Sequence, residues 1–183
     1  DDVAAQTTIY DTWIDGFTDG LSGSYVGNST APFAERTILH GGKQAMPLAY
    51  DNTVNYSYSE ATRTFEAPQD WTASGIQSLS LWFRGTAGNG GQLYVKINST
   101  KISYDGDAAD LARPTWQVWN LDLSQAGKVN SVRSLTIGIE GAGAKGTLYF
   151  DDIRLYPKTV EYITPIQPAA TGLAAHYTFD EGT

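Results

Sequence analysis

Apolar and polar residues alternate over short stretches of this chain, and turn-forming residues such as glycine and asparagine separate the stretches. Alternation at every second position predicts β-strands, because successive side chains of a strand point to opposite faces of a sheet. The predicted strands are 8–14, 44–50, 60–66, 77–84, 92–98, 116–123, 134–140 and 147–156. Long helical periodicity is missing, so the pattern predicts an all-β fold, either a sandwich or a barrel.

The clearest predicted hairpin joins the fourth and fifth of these strands through the glycine-rich loop 85–91. A symmetric pairing places Trp82 opposite Tyr94 and Ser80 opposite Lys96, on the face that does not carry the aliphatic residues. Glu140, at the end of strand 134–140, is also expected on a non-core face. The predicted aromatic and charged patch is formed by Trp82, Arg84, Tyr94, Lys96 and Glu140.

The last predicted strand carries two adjacent carboxylates in its middle, Asp151 and Asp152. Uninterrupted alternation places Asp151 on the core side and Asp152 on the solvent side, with Arg154. A carboxylate on the core side is costly unless a partner compensates its charge. The partner is expected to be a cation, an arginine such as Arg36 or Arg63, or several backbone N–H groups.

Composition narrows the classes of protein that fit. The chain has 183 residues, which suits one main domain with a tail. Its net charge of -8 argues against nucleic-acid binding, which needs a basic face. The chain has no cysteine, which excludes a disulfide framework and cysteine-ligated zinc. No apolar run is long enough for membrane insertion. Because the sequence starts abruptly at Asp1 without a signal peptide, we expect a piece of a longer protein.

The chain is predicted to divide into three parts. Residues 1–157 form the main domain, and 158–171 form a linker that contains two prolines and little pattern. Residues 172–183 restart a strand pattern but are too short to fold alone. We therefore expect them to be the truncated first strand of a following domain.

Four motifs together carry a family resemblance. They are Gly41–Met46 (GGKQAM), Asp70–Thr72 (DWT), Ser78–Phe83 (SLSLWF) and Tyr149–Leu155 (YFDDIRL). In this order and spacing they resemble carbohydrate-binding modules of the calcium-containing β-jelly-roll type, over roughly residues 8–157. The resemblance implies a β-sandwich of two antiparallel sheets. The segment 172–181 (GLAAHYTFDE) is similar to the opening strand of a laminin-G/concanavalin-A-like lectin domain.

The resemblance also implies a structural calcium ion, Ca2+, where the first strand, the Gly-Gly-Lys loop and the last strand meet. By position, Asp151 matches the carboxylate of the last strand. Asp15 is the expected first-strand ligand, with Asp11 as the second choice. Backbone carbonyls near Gly42 and Lys43 are expected to complete the six to eight oxygens that calcium prefers.

The function implied is non-catalytic binding of a polysaccharide for an attached degrading enzyme. Flat aromatic rings suit the apolar faces of sugar rings, and charged or amide groups suit the hydroxyls, which is the composition of the predicted patch. A loop-end platform of Tyr56 and Tyr58 is the alternative site. The expected partners are a polysaccharide and covalently linked catalytic or lectin domains. We expect a monomer that a bacterium secretes or displays at its surface.

Catalysis has little support in the sequence. No G-x-S-x-G nucleophile motif occurs, and the glutamates and aspartates form no recognisable glycosidase pair. His40 and His176 are the only histidines, and His40 is interpreted as a loop residue before a Gly-Gly turn. A structural or adhesive β-sandwich spacer of a large extracellular protein stays open as an alternative function. A polysaccharide-lyase fragment is a weaker one.

Overall fold

A computed structural model of the protein describes residues 13–17, 20–30 and 33–157. Ten strands occur in these ranges: β1 (Trp13–Asp15), β2 (Ser24–Val26), β3 (Met46–Asp51), β4 (Tyr58–Gln69), β5 (Ser78–Arg84), β6 (Gln92–Ile97), β7 (Thr100–Ser103), β8 (Trp116–Asp122), β9 (Val132–Glu140) and β10 (Lys145–Tyr156). Short 3₁₀ turns cover Ala73–Gly75, Ala108–Ala112 and Leu123–Ala126. The predicted linker, the predicted lectin-like strand and residues 8–12 of the first predicted strand lie outside the described ranges.

The strands form two antiparallel five-stranded sheets. Sheet A has the order β1-β4-β9-β6-β7, and sheet B has the order β2-β3-β10-β5-β8. This confirms the predicted all-β fold, a β-sandwich consistent with a jelly roll. Among the described residues, no helix has the length and apolar character needed to cross a membrane.

The core lies between the two sheets and is filled by alternate residues of their central strands. Leu79, Leu81 and Phe83 of β5 are at most 1% exposed, and so are Leu148 and Phe150 of β10. Their counterparts in sheet A include Leu93, Val95, Ile137 and Ile139. Burying an aliphatic or aromatic side chain of this size contributes about 1.5–3 kcal/mol. The core therefore fixes which face of each strand is left for solvent.

The predicted hairpin between β5 and β6 is wrong. β5 pairs with β10 and β8 in sheet B, whereas β6 pairs with β7 and β9 in sheet A. Loop 85–91 therefore carries the chain from one sheet to the other. Trp82 and Tyr94 point to opposite sides of the sandwich, because the outward faces of two packed sheets point away from each other. Alternation identifies the core face of each strand but does not say which sheet the strand joins.

The predicted inward position of Asp151 is also wrong, because β10 contains a β-bulge. Asp151 is the partner of Trp82 and Arg154 is the partner of Ser80, so β10 has one residue more than β5 over this interval. Asp152 takes up the irregularity with a left-handed φ of 46°. The extra residue shifts the alternation. Asp151 therefore faces outward, while Ile153 and Leu155 pack against the core.

Engineered cysteine pairs test this topology. Thr62 of β4 and Thr136 of β9 are partners whose side-chain hydroxyls lie 2.8 Å apart. We expect the double variant Thr62→Cys/Thr136→Cys to form an intramolecular disulfide on mild oxidation, since the two side chains already meet across the strand pair. Non-reducing electrophoresis and thiol titration measure it.

Ser80→Cys/Lys96→Cys is the matched control. This pair would lie side by side in a β5–β6 hairpin, but the sandwich places the two residues on opposite outer faces, and the sheets alone are about 10 Å apart. Both thiols should stay free. An intramolecular disulfide in this control would contradict the assignment of β5 and β6 to different sheets.

Candidate functional site

The outer face of sheet B, which points away from the core, brings several aromatic side chains together. β5, β8 and β10 contribute Trp82, Trp116 and Tyr149, all of them half-buried. Arg84 is the partner of both Trp116 and Tyr149, and its guanidinium lies 5.8 Å from the Tyr149 ring centroid. Trp82 is the partner of Val118, which is 41% exposed. We call this surface the sheet B face.

His40 joins the sheet B face from the segment between β2 and β3. Its imidazole stacks on the Trp82 indole with ring centroids 3.8 Å apart and an interplanar angle of 17°. The edge of Trp116 approaches the same imidazole at 5.8 Å and 67°. The three rings therefore form one cluster. Sequence reasoning missed His40, because nothing in its neighbourhood shows that it meets a strand 42 positions later.

The two adjacent carboxylates of β10 hold the His40 segment in different ways. Asp151 Oδ2 accepts hydrogen bonds from the backbone N–H groups of His40, at 3.0 Å, and Gly41, at 3.1 Å. Asp152 Oδ2 lies 2.7 Å from His40 Nδ1, and Asp152 Oδ1 accepts from Arg154 Nη2 at 2.6 Å. The hydrogen bond from His40, assisted by Arg154, lowers the pKa of Asp152 below its ordinary value. Of the expected partner types for Asp151, the structure shows backbone N–H groups.

A groove of about 680 Å³ occupies the other end of the sheet B face. The lining residues include Tyr25, Ala49, Lys145 and Thr147. Its wall is the loop between β5 and β6, which Asn89 fastens to β10. The Asn89 side chain donates to the Thr147 carbonyl at 2.7 Å and accepts from the Thr147 N–H at 3.1 Å. Thr147 and Asp151 are four residues apart on one strand, so about 13 Å separates the groove from the ring cluster.

The rest of the predicted patch lies on the outer face of sheet A, so the single patch expected from the sequence is wrong. Tyr94 is only 2% exposed. Its hydroxyl donates to Glu60 Oε1 at 2.6 Å, and Glu60 also pairs with Lys96. Lys101 lies 4.9 Å from the Tyr94 ring centroid and pairs with Glu140 at 2.8 Å. These contacts cover the ring that was expected to stack on sugars.

Tyr94 lies flat against Gly138 of β9. A Cβ atom at Gly138 would collide with the Tyr94 ring, so only glycine permits this approach. Tyr58, the alternative platform, is the partner of Glu140 on the same face and is 37% exposed, while Tyr56 is half-buried in the preceding loop. We call Glu60, Tyr94, Lys96, Lys101 and Glu140 the sheet A network.

The structure does not bring the expected calcium ligands Asp15 and Asp151 together. Asp15 is 5% exposed and accepts from the backbone N–H of Val26, in edge strand β2. β3 lies between β2 and β10. Across these three strands Val26 is level with Leu148, and Asp151 lies three residues further along β10. The backbone of Val26, which Asp15 binds, is therefore about 10 Å across the sheet and about 10 Å along it from the backbone of Asp151. Two ligands of one calcium ion lie at most about 5 Å apart, so the two carboxylates do not fit one shared ion.

Gly42 and Lys43 are exposed residues of the segment that Asp151 fastens, and Asp11 lies outside the described residues. The described ranges contain no group of three or more histidine or acidic side chains arranged to hold a metal ion. Calcium stays a prediction, and a rise in the melting midpoint on adding calcium would support it.

Comparison with known proteins finds the fold but no sequence family. No protein-family model matches the sequence, and no curated protein matches it. An exo-β-agarase has a TM-score of 0.59 at 14% identity, over 76% of this chain and 24% of the agarase. A second agarase has a TM-score of 0.56 at 9% identity, over 81% and 24%. A family 30 carbohydrate-binding module has a TM-score of 0.53 at 15% identity, over 83% and 91%.

This chain thus spans about a quarter of each agarase and nine-tenths of the module. At these identities the likeness shows the fold, a β-sandwich of the kind found in carbohydrate-binding modules. The resemblance read from the sequence is confirmed to that extent. The calcium site and the lectin-like strand stay predictions.

Two buried tyrosines, Tyr94 of the sheet A network and Tyr50 of β3, predict a fall in stability at alkaline pH. Burial, the hydrogen bond to Glu60 and the nearby negative charge raise the pKa of Tyr94 above its ordinary value, and burial raises the pKa of Tyr50 to about 12. An unfolded tyrosine ionises near pH 10, so above that pH the unfolded state binds fewer protons than the folded state. Stability therefore falls as pH rises from about 10, by up to about 1.4 kcal/mol per pH unit for each such group.

Tyr94→Phe removes one of these groups. Urea unfolding should show a cost of about 1–2 kcal/mol at pH 7, from the lost hydrogen bond to Glu60, and a shallower decline above pH 10. Parallel pH profiles for the variant and the unaltered protein would contradict the prediction.

A double-mutant cycle tests the separation of Asp15 from Asp151. We expect Asp15→Asn and Asp151→Asn to destabilise additively, within about 0.5 kcal/mol, because the two carboxylates lie on well-separated parts of the sandwich. The cycle is measured by chemical denaturation, once in calcium and once in EGTA. A coupling above about 1 kcal/mol that appears only in calcium would mean that one ion bridges both residues.

Proposed function

We propose that this chain is a non-catalytic carbohydrate-binding module whose polysaccharide binds across the sheet B face. The observation that carries the proposal is the cluster of Trp82, Trp116 and His40 among charged groups on one outer face of the sandwich. An indole presents a large flat apolar surface, which suits the C–H face of a sugar ring. The fold, which known carbohydrate-binding modules share, supports the proposal.

Polar groups around the rings would bind sugar hydroxyls. Arg84 uses its Nε to donate to the Pro114 carbonyl at 3.2 Å, and its guanidinium carries four further N–H donors. Asp152 and Arg154 lie beside the ring cluster, as an ion pair. A carboxylate and two guanidinium groups thus supply acceptors and donors within reach of a sugar stacked near Trp82.

The spacing of the features favours an extended glycan. The ring cluster and the groove at Tyr25 and Lys145 lie about 13 Å apart along the strands, which exceeds one sugar ring. We propose that the polysaccharide is recognised along its length, with one sugar ring at the Trp82 cluster and later sugar rings toward the groove.

The role we propose is to hold an attached degrading enzyme near an insoluble or gelled polysaccharide outside the cell. Tethering raises the local concentration of the enzyme at the polymer, so that even weak binding increases its action. Two of the matched structures are agarases that are longer than this chain, so agar belongs in the first panel of polysaccharides. The attached catalytic or lectin domain and secretion by a bacterium are part of this proposal.

Affinity gel electrophoresis against a polysaccharide panel tests the function. We expect retardation by at least one polymer, and we expect Trp82→Ala and Trp116→Ala each to weaken it about tenfold or more, as truncation of a central aromatic contact does. Melting midpoints of the variants establish that they stay folded.

The matched control is Tyr58→Ala on the outer face of sheet A, which should bind as the unaltered protein does. If Tyr58→Ala abolished binding and Trp82→Ala did not, the site would lie on the opposite side of the sandwich. A protein that no polymer retards would instead favour a structural spacer.

A further inference from the structure

His40 covers the indole surface that the proposed function assigns to a sugar. The imidazole lies nearly parallel to the Trp82 indole, with centroids 3.8 Å apart, which is ordinary van der Waals contact for stacked rings. The His40 side chain is 28% exposed and Trp82 is half-buried, so both rings lie at the surface and the imidazole occupies one face of the indole. A sugar ring stacked on this side of the indole would need the same space.

The cover is held in place by side-chain and backbone contacts of different kinds. Asp152 Oδ2 binds the imidazole through Nδ1 at 2.7 Å. Asp151 holds the backbone of the segment through the N–H groups of His40 and Gly41. A Cβ atom at Gly41 would lie 2.7 Å from Asp152 Oδ2, so glycine at this position lets the carboxylate reach the imidazole.

Because the two kinds of contact are separate, the His40 imidazole can move off the Trp82 indole while the backbone of its segment stays bound to Asp151. The backbone contacts with Asp151 do not involve the imidazole, so they persist when the His40 side chain rotates to another rotamer. Rotamer changes of exposed side chains are fast and need no backbone motion. Rotation breaks the stacking contact with Trp82, the edge contact with Trp116 and one hydrogen bond. It also frees Asp152 Oδ2, a carboxylate oxygen beside the uncovered indole.

We propose that His40 is a displaceable cover of Trp82, and that a glycan takes the place of the imidazole on binding. The sugar ring then stacks on the indole, and a sugar hydroxyl donates to the Asp152 oxygen that His40 has released. This inference rests on the proposed function. It makes His40 a competitor of the ligand, which lowers the affinity of the unaltered protein.

The test is the affinity of His40→Ala for the polysaccharide that retards the unaltered protein in the panel. Removing a competing stack and hydrogen bond should strengthen binding about five- to tenfold in affinity gels, whereas Trp82→Ala should lose it. If His40→Ala binds more weakly than the unaltered protein, as Trp82→Ala does, the imidazole is part of the platform and the proposal is overturned.

A second measurement observes the His40 ring in the unaltered protein, and the His40→Ala variant serves only to assign its protons. The chain has two histidines, so comparison with His40→Ala assigns the His40 ring protons in an NMR spectrum. Stacking on the indole shifts these protons upfield in the free protein. Saturation with the oligosaccharide of the bound polymer should return them to the positions of an exposed histidine. Protons that stay upfield in the complex would overturn the proposal.

The outcomes separate this inference from the function it rests on. Weaker binding by His40→Ala, with Trp82→Ala inactive, would overturn the cover and leave the function standing. Retardation of His40→Ala by a polymer that does not retard the unaltered protein would support both. If neither protein is retarded by any polymer while both melt cooperatively, the function fails and the cover fails with it.

Discussion

A single extra residue in β10 sets the arrangement of both the core and the candidate site. β10 is the central strand of sheet B, between β3 and β5. Before the bulge, Leu148 and Phe150 face the core, and after it Ile153 and Leu155 do. Phe150 and Ile153 are three positions apart, which is an odd number. An unbroken alternation would therefore bury one of the two pairs and expose the other. The left-handed residue Asp152 resolves the conflict and leaves Asp151 facing solvent.

Because of the bulge, the neighbouring carboxylates of Asp151 and Asp152 bind different parts of the His40 segment. Asp151 keeps the regular outward direction of the strand and accepts from the backbone of the His40 segment. Asp152, turned by its unusual backbone angle, reaches the imidazole itself and is balanced by Arg154. A regular strand would point these side chains to opposite faces. The irregular strand brings both to the loop that covers Trp82, so local geometry, more than composition, assembles the ring cluster.

The sequence predicted the parts of this fold that depend on local periodicity. The core residues of β5, β6, β8 and β9 follow from alternation, and so does the outward direction of Trp82 and Arg84. The short strands β2 and β7 were missed, because three or four residues hold too few alternations to stand out. The distribution of the predicted patch over two faces could not be predicted, because it depends on which sheet each strand joins. His40 was interpreted as an ordinary loop residue, since its contact with Trp82 is made only by the folded chain.

The sheet A network gives the molecule a second outer face whose charges are already matched. Glu60, Lys96, Lys101 and Glu140 pair with one another around the covered ring of Tyr94. Such a surface has little left to offer a ligand, and it lies one sandwich thickness from the sheet B face. Ser103 at edge strand β7 is exposed and is the partner of Tyr94, so it points to the same side. A dye or a surface linker attached there would leave the ring cluster directed away from the support, and the glycan binding that we propose could then be measured on protein immobilised in one orientation.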